Sequence, residues 1–382
     1  MKILMVSMFA NHFFNWTNQL KDSGHEVFWI DVFDNGKKVD NINWVHQTVN
    51  WKRKFNYPGR QSLKNSFPKI HKGVQRFNEK KLAEIFEEKI KEIKPDVVQS
   101  FVLFSACAPI LAVMNKYPNL KWIYSAWGND LFYFQNERDY LADIKQVLPS
   151  LDYMFADCAR DYEIAKKHGF NGIFLGVYPT GGGYKFDLEN EIRPSSNRNV
   201  ILIKGYQDLF GECIPVLKAV QKIKNELEDY EIVVFGAEQD TVEYIETSDL
   251  VNYTNFSLLK SIGRSELMKI MGKSLIYVGN SISDGMPNTL LESIIMGAFP
   301  IQSNPGGATG ELIQHQKNGF LIQDPLDVNE IKSLILRAIN DKAFLARAVE
   351  YNFNQIKPKL EREFVRQEVL KKYSLVEKAI KP

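Results

Sequence analysis

Short apolar runs recur along this chain, separated by stretches with helical spacing. In the first half the strand-like runs are 3–8, 26–31, 96–101, 122–125, 153–156 and 173–175. Helical patterns lie between several of them. In 79–93, for example, Leu82, Ile85, Phe86, Ile90 and Ile93 share one helical face. Strands that alternate with helices predict βαβ units and a parallel sheet. The alternation stops at Tyr178-Pro179-Thr180-Gly181-Gly182-Gly183 and the polar stretch 190–199, a composition that marks a domain boundary. It then restarts with strands at 200–203, 231–235, 275–278, 299–301 and 319–322. Helices are expected at 214–225, 264–271 and 289–296.

The chain is therefore expected to be α/β, with two Rossmann-like parallel-sheet domains, 1–182 and 183–360, facing across a cleft. A charged helical segment at 361–382 is expected to return to the first domain. Ligands of open α/β sheets bind outside the carboxyl ends of the strands, so the cleft is the expected site.

The length of 382 residues suits two domains, each with its own core. A formal net charge of +2 gives no general attraction to nucleic acid, and none is expected as a partner. Cys107, Cys158 and Cys213 are widely spaced and form no CxxC pair, which suits a reducing compartment rather than a disulfide framework or a structural zinc. The opening residues 1–7 read as a first strand, because Asn11 and His12 interrupt the apolar run before a signal peptide could form. The longest apolar stretch, 101–114, contains Ser105 and Pro109 and is too short to cross a bilayer. These features together lead to an expected cytoplasmic location.

The most informative segment runs from Ser281 to Glu292: a loop with Asp284, then Gly285-Met286-Pro287-Asn288, then a helix expected to start near Thr289. A helix start presents backbone N–H groups and the positive end of the helix dipole, which attract phosphate or a polyhydroxylated ligand. Asn288 suits an N-cap by its chemistry. Asp284 and Glu292, one on the loop and one expected in the first helical turn, could bracket a ligand. A plain capped turn that happens to carry two acids fits the same residues.

This stretch resembles the acidic-x7-acidic signature of retaining glycosyltransferases of family 4 (glycosyl transferases group 1). The opening acid here is Asp284 where the family has Glu. Met296-Gly297-Ala298-Phe299-Pro300-Ile301, Asn304-Pro305-Gly306-Gly307 and Asn318-Gly319-Phe320-Leu321-Ile322 resemble the passages that follow in that family. The resemblance implies a GT-B fold and transfer of a sugar from a nucleotide-sugar donor, with retention of configuration. Glu292 would then hold the ribose hydroxyls and Asp284 would contact the transferred sugar. Gly285, Met286, Pro287, Asn288, Thr289 and Leu290 would line the donor site.

Phe9 to Phe13 and Gly24-His25-Glu26-Val27 are similar to the family's first βαβ unit, which puts His12 on a loop facing the cleft. A solvated His12 is the plain alternative. Trp127-Gly128-Asn129-Asp130 resembles a Trp-Gly-Ser-Asp turn of some members, with Asp130 either orienting the acceptor or capping the next helix. Relatives usually carry Gly-Arg and then Lys after the first strand of the second domain. This chain has Lys204-Gly205-Tyr206, so Lys204, with Gly205, is the remaining candidate for the donor phosphates. A strand-end lysine paired with an acid is the alternative. No metal or other cofactor is expected, since no HExxH, Cys/His cluster or suitably placed DxD occurs.

Residues 51–81 form the remaining feature. Lys52, Arg53, Lys54, Arg60, Lys64, Lys69, Lys72, Arg76, Lys80 and Lys81 face the single acid Glu79, with Trp51, Phe55, Tyr57, Phe67 and Phe77 interleaved. An anionic membrane surface, an anionic acceptor and a solvated face all fit; single-stranded nucleic acid does too, though nothing else in the sequence supports it. The expected partners are a nucleotide-sugar donor and a glycan or lipid-linked acceptor. A pathway making surface polysaccharide or glycolipid, at the inner face of the membrane, suits them. A non-catalytic sugar-binding module and a nucleotide-sugar epimerase remain as alternatives. An NAD-dependent oxidoreductase does not, because Met8-Phe9-Ala10-Asn11-His12 lacks a glycine-rich turn.

Overall fold

The computed structural model describes residues 1–55 and 58–380, so Tyr57 lies outside the described residues. The chain divides into two compact units. One comprises Met1–Ala156, Tyr162–Gly181 and Glu368–Pro382; the other comprises Asp157–Asp161 and Gly182–Gln367.

The first unit is built on seven parallel strands: β1 (Lys2–Ser7), β2 (Glu26–Asp31), β3 (His46–Thr48), β4 (Val97–Phe101), β5 (Lys121–Ser125), β6 (Tyr153–Ala156) and β7 (Ile173–Val177). Their order is β3-β2-β1-β4-β5-β6-β7. β4 is buried along its whole length, because a parallel strand is covered by helices on both faces. Leu4, Val6, Phe86, Val98, Trp122 and Met154 belong to the core that packs around it.

The second unit carries six parallel strands: β8 (Val200–Lys204), β9 (Glu231–Phe235), β10 (Phe256–Leu259), β11 (Ser274–Gly279), β12 (Phe299–Ser303) and β13 (Phe320–Ile322). Their order is β10-β9-β8-β11-β12-β13. The order reverses between β8 and β11, which makes that junction the switch point where open α/β sheets receive ligands. One core lies around Val216, Leu217, Ile335 and Phe299, and another around Tyr277, Leu291, Ile294 and Met271.

The expected strands all form, within two residues at their ends. The two edge strands β3 and β10 were not expected. His46-Gln47-Thr48 has too little apolar character to register as a strand. The helix expected at 79–93 forms but begins at Leu82, because the extended Glu79 and Lys81 separate it from a preceding helix, Pro68–Asn78. Trp51 is buried, with Nε1 donating to the Asp31 carbonyl at 2.8 Å, so it belongs to the core rather than to a surface stripe. Among the described residues, no helix is long and apolar enough to cross a membrane.

The last helix, Arg362–Ile380, leaves the second unit and enters the first after Gln367. There Tyr373 is fully buried, donating to Gln99 Oε1 at 2.6 Å and accepting from Trp16 Nε1 at 3.1 Å. The Tyr373→Phe variant keeps the ring and strands both partners, which should cost about 1–3 kcal/mol. The check is thermal unfolding followed by tryptophan fluorescence; an unchanged midpoint would show that these bonds add nothing.

Candidate functional site

In the second unit the site grows from the two strands at the switch point. β8 ends on Lys204, and β11 hands over at Gly279 to the loop 280–287. That loop is tied at several points. Asn280 Nδ2 donates to the carbonyls of Glu212 and Pro325 at 2.8 Å each. The Ser281 amide donates to Ser303 Oγ at 2.8 Å, and the Ile282 amide to the Phe210 carbonyl at 2.8 Å. The buried Arg160 guanidinium donates to the carbonyls of Asp284 at 2.8 Å and Pro305 at 2.7 Å, so the backbone that bears Asp284 is held from below. Gly285 follows at a position where a Cβ would overlap the Asp157 carboxylate; only glycine fits there without a shift.

Asp284 and Lys204 meet across the switch point, with Nζ 3.8 Å from Oδ2. Asp284 Oδ1 accepts from the Gly285 amide at 2.9 Å. Lys204 also lies over the Tyr206 ring, 4.6 Å from its centroid. The alternative of a strand-end lysine with an acid partner is thus present in the geometry, as a long and partly solvated pair. Gly205 has its amide on the Phe235 carbonyl at 2.8 Å and accepts from Thr241 Oγ1 at 2.9 Å, so its backbone is engaged within the unit. A Cβ there would press on Ala237 and Phe235.

The helix after the loop is Asn288–Ile295, with Pro287 as N-cap and no side-chain cap. Asn288 is therefore the first helical residue rather than the cap. Its Oδ1 instead accepts from Tyr184 Oη at 2.6 Å. Proline cannot cap with its side chain, so this helix start keeps its attraction for an anion. Glu292 stands one turn in, not in the first turn, and is buried. Its Oε1 accepts from Arg264 Nε at 2.6 Å. Burial raises the Glu292 pKa, and Arg264 pulls it back. The Tyr277 hydroxyl, 2.8 Å from Thr289 Oγ1, is pushed up by burial and also feels Asp284, Tyr206 and Glu292. Both acids therefore act on one buried phenol. Gly285 and Pro287 are buried and Met286 half-buried, while Leu290 is a core residue that could meet a ligand only through its backbone.

In the first unit, His12 is exposed. It lies in the helix Asn11–Thr17, not on a loop, because that helix begins directly after the short turn following β1. Its ring meets Trp127 edge-on at 6.2 Å, and Trp127 in turn lies 5.5 Å from Phe101 at the end of β4. Asp130 is buried. It accepts from Tyr124 Oη at 2.5 Å, from the Leu103 amide at 2.9 Å and from the Trp127 amide at 3.1 Å. Burial raises its pKa against these bonds. It lies inside the first turn of the short helix Asn129–Phe132, where it pins two loops, rather than at the N-cap.

Residues 190–355 match the family model described as glycosyl transferases group 1. Similar folds include sucrose-phosphate synthase from Thermosynechococcus elongatus, 13% identical over 99% of each chain with a TM-score of 0.74. Anabaena HepE, solved in complex with UDP, is 13% identical over 98% of this chain and 100% of that one, with a TM-score of 0.70. A glycosyltransferase from Rickettsia africae is 15% identical over 98% of each chain, with a TM-score of 0.67. None of the curated proteins matches the sequence. The chain has the GT-B fold, and its second unit carries the match to glycosyl transferases group 1.

The residues that sequence reasoning missed at this site are Arg264, Arg160 and Tyr184. Arg264 opens a helix, as its place after Gly263 allowed, but nothing in a linear pattern pairs it with an acid 28 positions on. Folding also gathers Asp157, Cys158 and Asp161, whose potential ligand atoms lie within 4.8 Å of one another, all buried. The Arg160 guanidinium binds Asp161 at 2.8 Å, and burial pushes the Cys158 thiol far up.

If Arg264 holds Glu292 in its ionised form, Arg264→Gln should raise the carboxyl pKa of Glu292 further. Carbon-detected NMR titration of labelled glutamate reads this directly, and an unchanged value would mean the contact carries no electrostatic weight.

Proposed function

We propose that this chain is a glycosyltransferase, moving a sugar from a nucleotide-sugar donor to a hydroxyl of a glycan or lipid-linked acceptor, with retention of anomeric configuration. The observation that carries the reading is at the second unit's switch point. Lys204 ends β8, Asp284 faces it from the loop after β11, and the helix Asn288–Ile295 starts beside them without a side-chain cap. A cation and a helix start suit a departing diphosphate, because they stabilise its developing charge with no need for an acid of the enzyme to protonate it.

In the reaction, the bond from the anomeric carbon to the diphosphate oxygen breaks. The acceptor hydroxyl forms the new bond on the same face and passes its proton to the departing phosphate oxygen. Glu292 accepts hydrogen bonds from the ribose hydroxyls, with Arg264 fixing its orientation, and Asp284 contacts the transferred sugar. Gly285 to Leu290 line the donor through the loop and the helix start. His12 and Asp130 serve the acceptor side, His12 as the exposed group and Asp130 through the Trp127 loop that it holds. A cytoplasmic enzyme of surface polysaccharide or glycolipid assembly, working at the anionic inner face of the membrane, fits this acceptor class.

A panel of nucleotide sugars, read by released nucleotide, tests the reading. Nucleotide binding without release from any donor would favour a non-catalytic module. Glu292→Gln should weaken nucleotide affinity roughly tenfold or more, since a charged acceptor to a buried hydroxyl is worth about 1.5–3 kcal/mol. Asp284→Asn, which keeps an oxygen for the Gly285 amide, should lower kcat with little change in nucleotide affinity. Wild-type turnover in Asp284→Asn removes it from the chemistry.

Lys204 and the helix start are assigned the whole of the phosphate stabilisation, so EDTA should leave most of the activity. Loss in EDTA with recovery on adding Mg²⁺ or Mn²⁺ would assign that job to a metal instead.

A further inference from the structure

In the helix Pro68–Asn78 of the first unit, burial runs against hydropathy. His71 and Asn78 are the buried residues, while Ile70 and Phe77 stand 57% and 78% exposed. Phe55 and Phe67 are 59% and 58% exposed nearby. The same region exposes Arg53, Lys54, Lys64, Lys69, Lys72 and Arg76, none of which forms an ion pair among the described residues. Its one acid, Glu79, is already engaged by Lys52 at 3.9 Å and by Gln75 Nε2 at 3.0 Å. A solvated face explains the charges but not the rings, because exposed apolar area of this size is unfavourable in water and marks a contact surface.

Against this helix lies a cavity of about 790 Å³, lined by Trp51, Lys72, Arg76, Lys81 and the Lys52–Glu79 pair among others, so the cations outnumber the one acid. It opens just past the end of β2 and at the start of the helix Leu82–Ile93. Lys80 is not part of this charge, since Glu88 holds it at 2.9 Å.

We propose that this face docks on an anionic lipid bilayer, with Phe55, Phe67, Ile70 and Phe77 entering the headgroup boundary and the cavity taking a lipid phosphate between Lys72, Arg76 and Lys81. Rings that point outward among unpaired cations suit a surface that is apolar within and negative at its rim. A second copy would set one basic face against another, and charge repulsion opposes that. The inference deepens the peripheral part of the proposed function, but it needs no donor chemistry. It is therefore read without nucleotide, and its failure would leave the transfer reaction untouched.

The test is co-sedimentation with vesicles of phosphatidylcholine alone and of phosphatidylcholine mixed equally with phosphatidylglycerol. Binding to the mixed vesicles alone, weakened by added salt, is the expected result. Replacing Lys72, Arg76 and Lys81 with Ser should weaken it on the order of a hundredfold, at about 1 kcal/mol per basic residue near the surface. The exposed pair Phe67→Ser and Phe77→Ser should weaken it as well, with circular dichroism checking that the fold is kept. Equal binding to neutral vesicles, no binding at low salt, or variants that bind like wild type would overturn the proposal. So would single-stranded oligonucleotide that competes fully with the vesicles, or a dimer that dissociates on losing Phe77 without any lipid dependence.

Discussion

A parallel strand cannot turn back on its neighbour. Each must be followed by a crossover, and every crossover begins at the same edge of the sheet. In the second unit this constraint sends the segments after β8, β9, β11 and β12 out along one edge. They diverge only where the strand order reverses, between β8 and β11. Lys204, Asp284, the start of the helix Asn288–Ile295 and the Glu292 carboxylate are gathered there because of where their strands end, although 88 positions separate the first from the last. The chemistry proposed for this chain needs a cation, an amide-rich helix start and two acids near one crevice. The sheet's topology supplies the crevice before any side chain is chosen.

Holding those groups still is a separate problem, and the structure solves it with backbone contacts. Arg160 binds the carbonyls of Asp284 and Pro305 with one nitrogen and the Asp161 carboxylate with others. Glu311 accepts from the amides of Ala159 and Arg160 at 2.6 and 2.8 Å. The short piece 157–161 is thereby fastened to the second unit although its neighbours on both sides belong to the first. Asp157 comes so close to Gly285 that a larger residue there would have to displace its carboxylate. The glycine of the Gly-Met-Pro-Asn turn is thus explained by a steric limit set more than a hundred positions earlier in the chain.

Much of the architecture was legible because buried parallel strands are nearly continuous apolar runs, and the runs at 231–235 and 153–156 match β9 and β6. The edge strand β3 was not, since its three residues bury one side at most and carry no run. At the site, the linear pattern carried the loop, the helix and the two acids. It did not carry their partners. Arg264 with Glu292, Arg160 with the Asp284 carbonyl, and Tyr184 with Asn288 are all contacts between distant segments, and no local periodicity encodes them. The N-cap expectation failed for a related reason. Asn288 has cap chemistry, but the restricted backbone of Pro287 sets where the helix begins, and the Asn side chain was free to serve Tyr184. Trp51 looked like one more surface aromatic because composition cannot tell a ring that caps the end of β2 from one that faces water.

The departure from the family's cation pattern also has a physical reading. The family's Gly-Arg pair and following Lys place two cations near the donor diphosphate, whereas here Gly205 is followed by Tyr206. The Tyr206 ring lies under the Lys204 ammonium at 4.6 Å, and Lys204 is only 14% exposed. An aromatic face attracts the cation without neutralising it, which a carboxylate at hydrogen-bond distance would do. Asp284 stands back at 3.8 Å, and its other oxygen is held by the Gly285 amide. A less solvated lysine acts on a phosphate through a lower effective dielectric than a flexible surface arginine would. In the proposed reaction, this one cation over a ring, beside a helix start, is assigned the part that the resemblance gives to two.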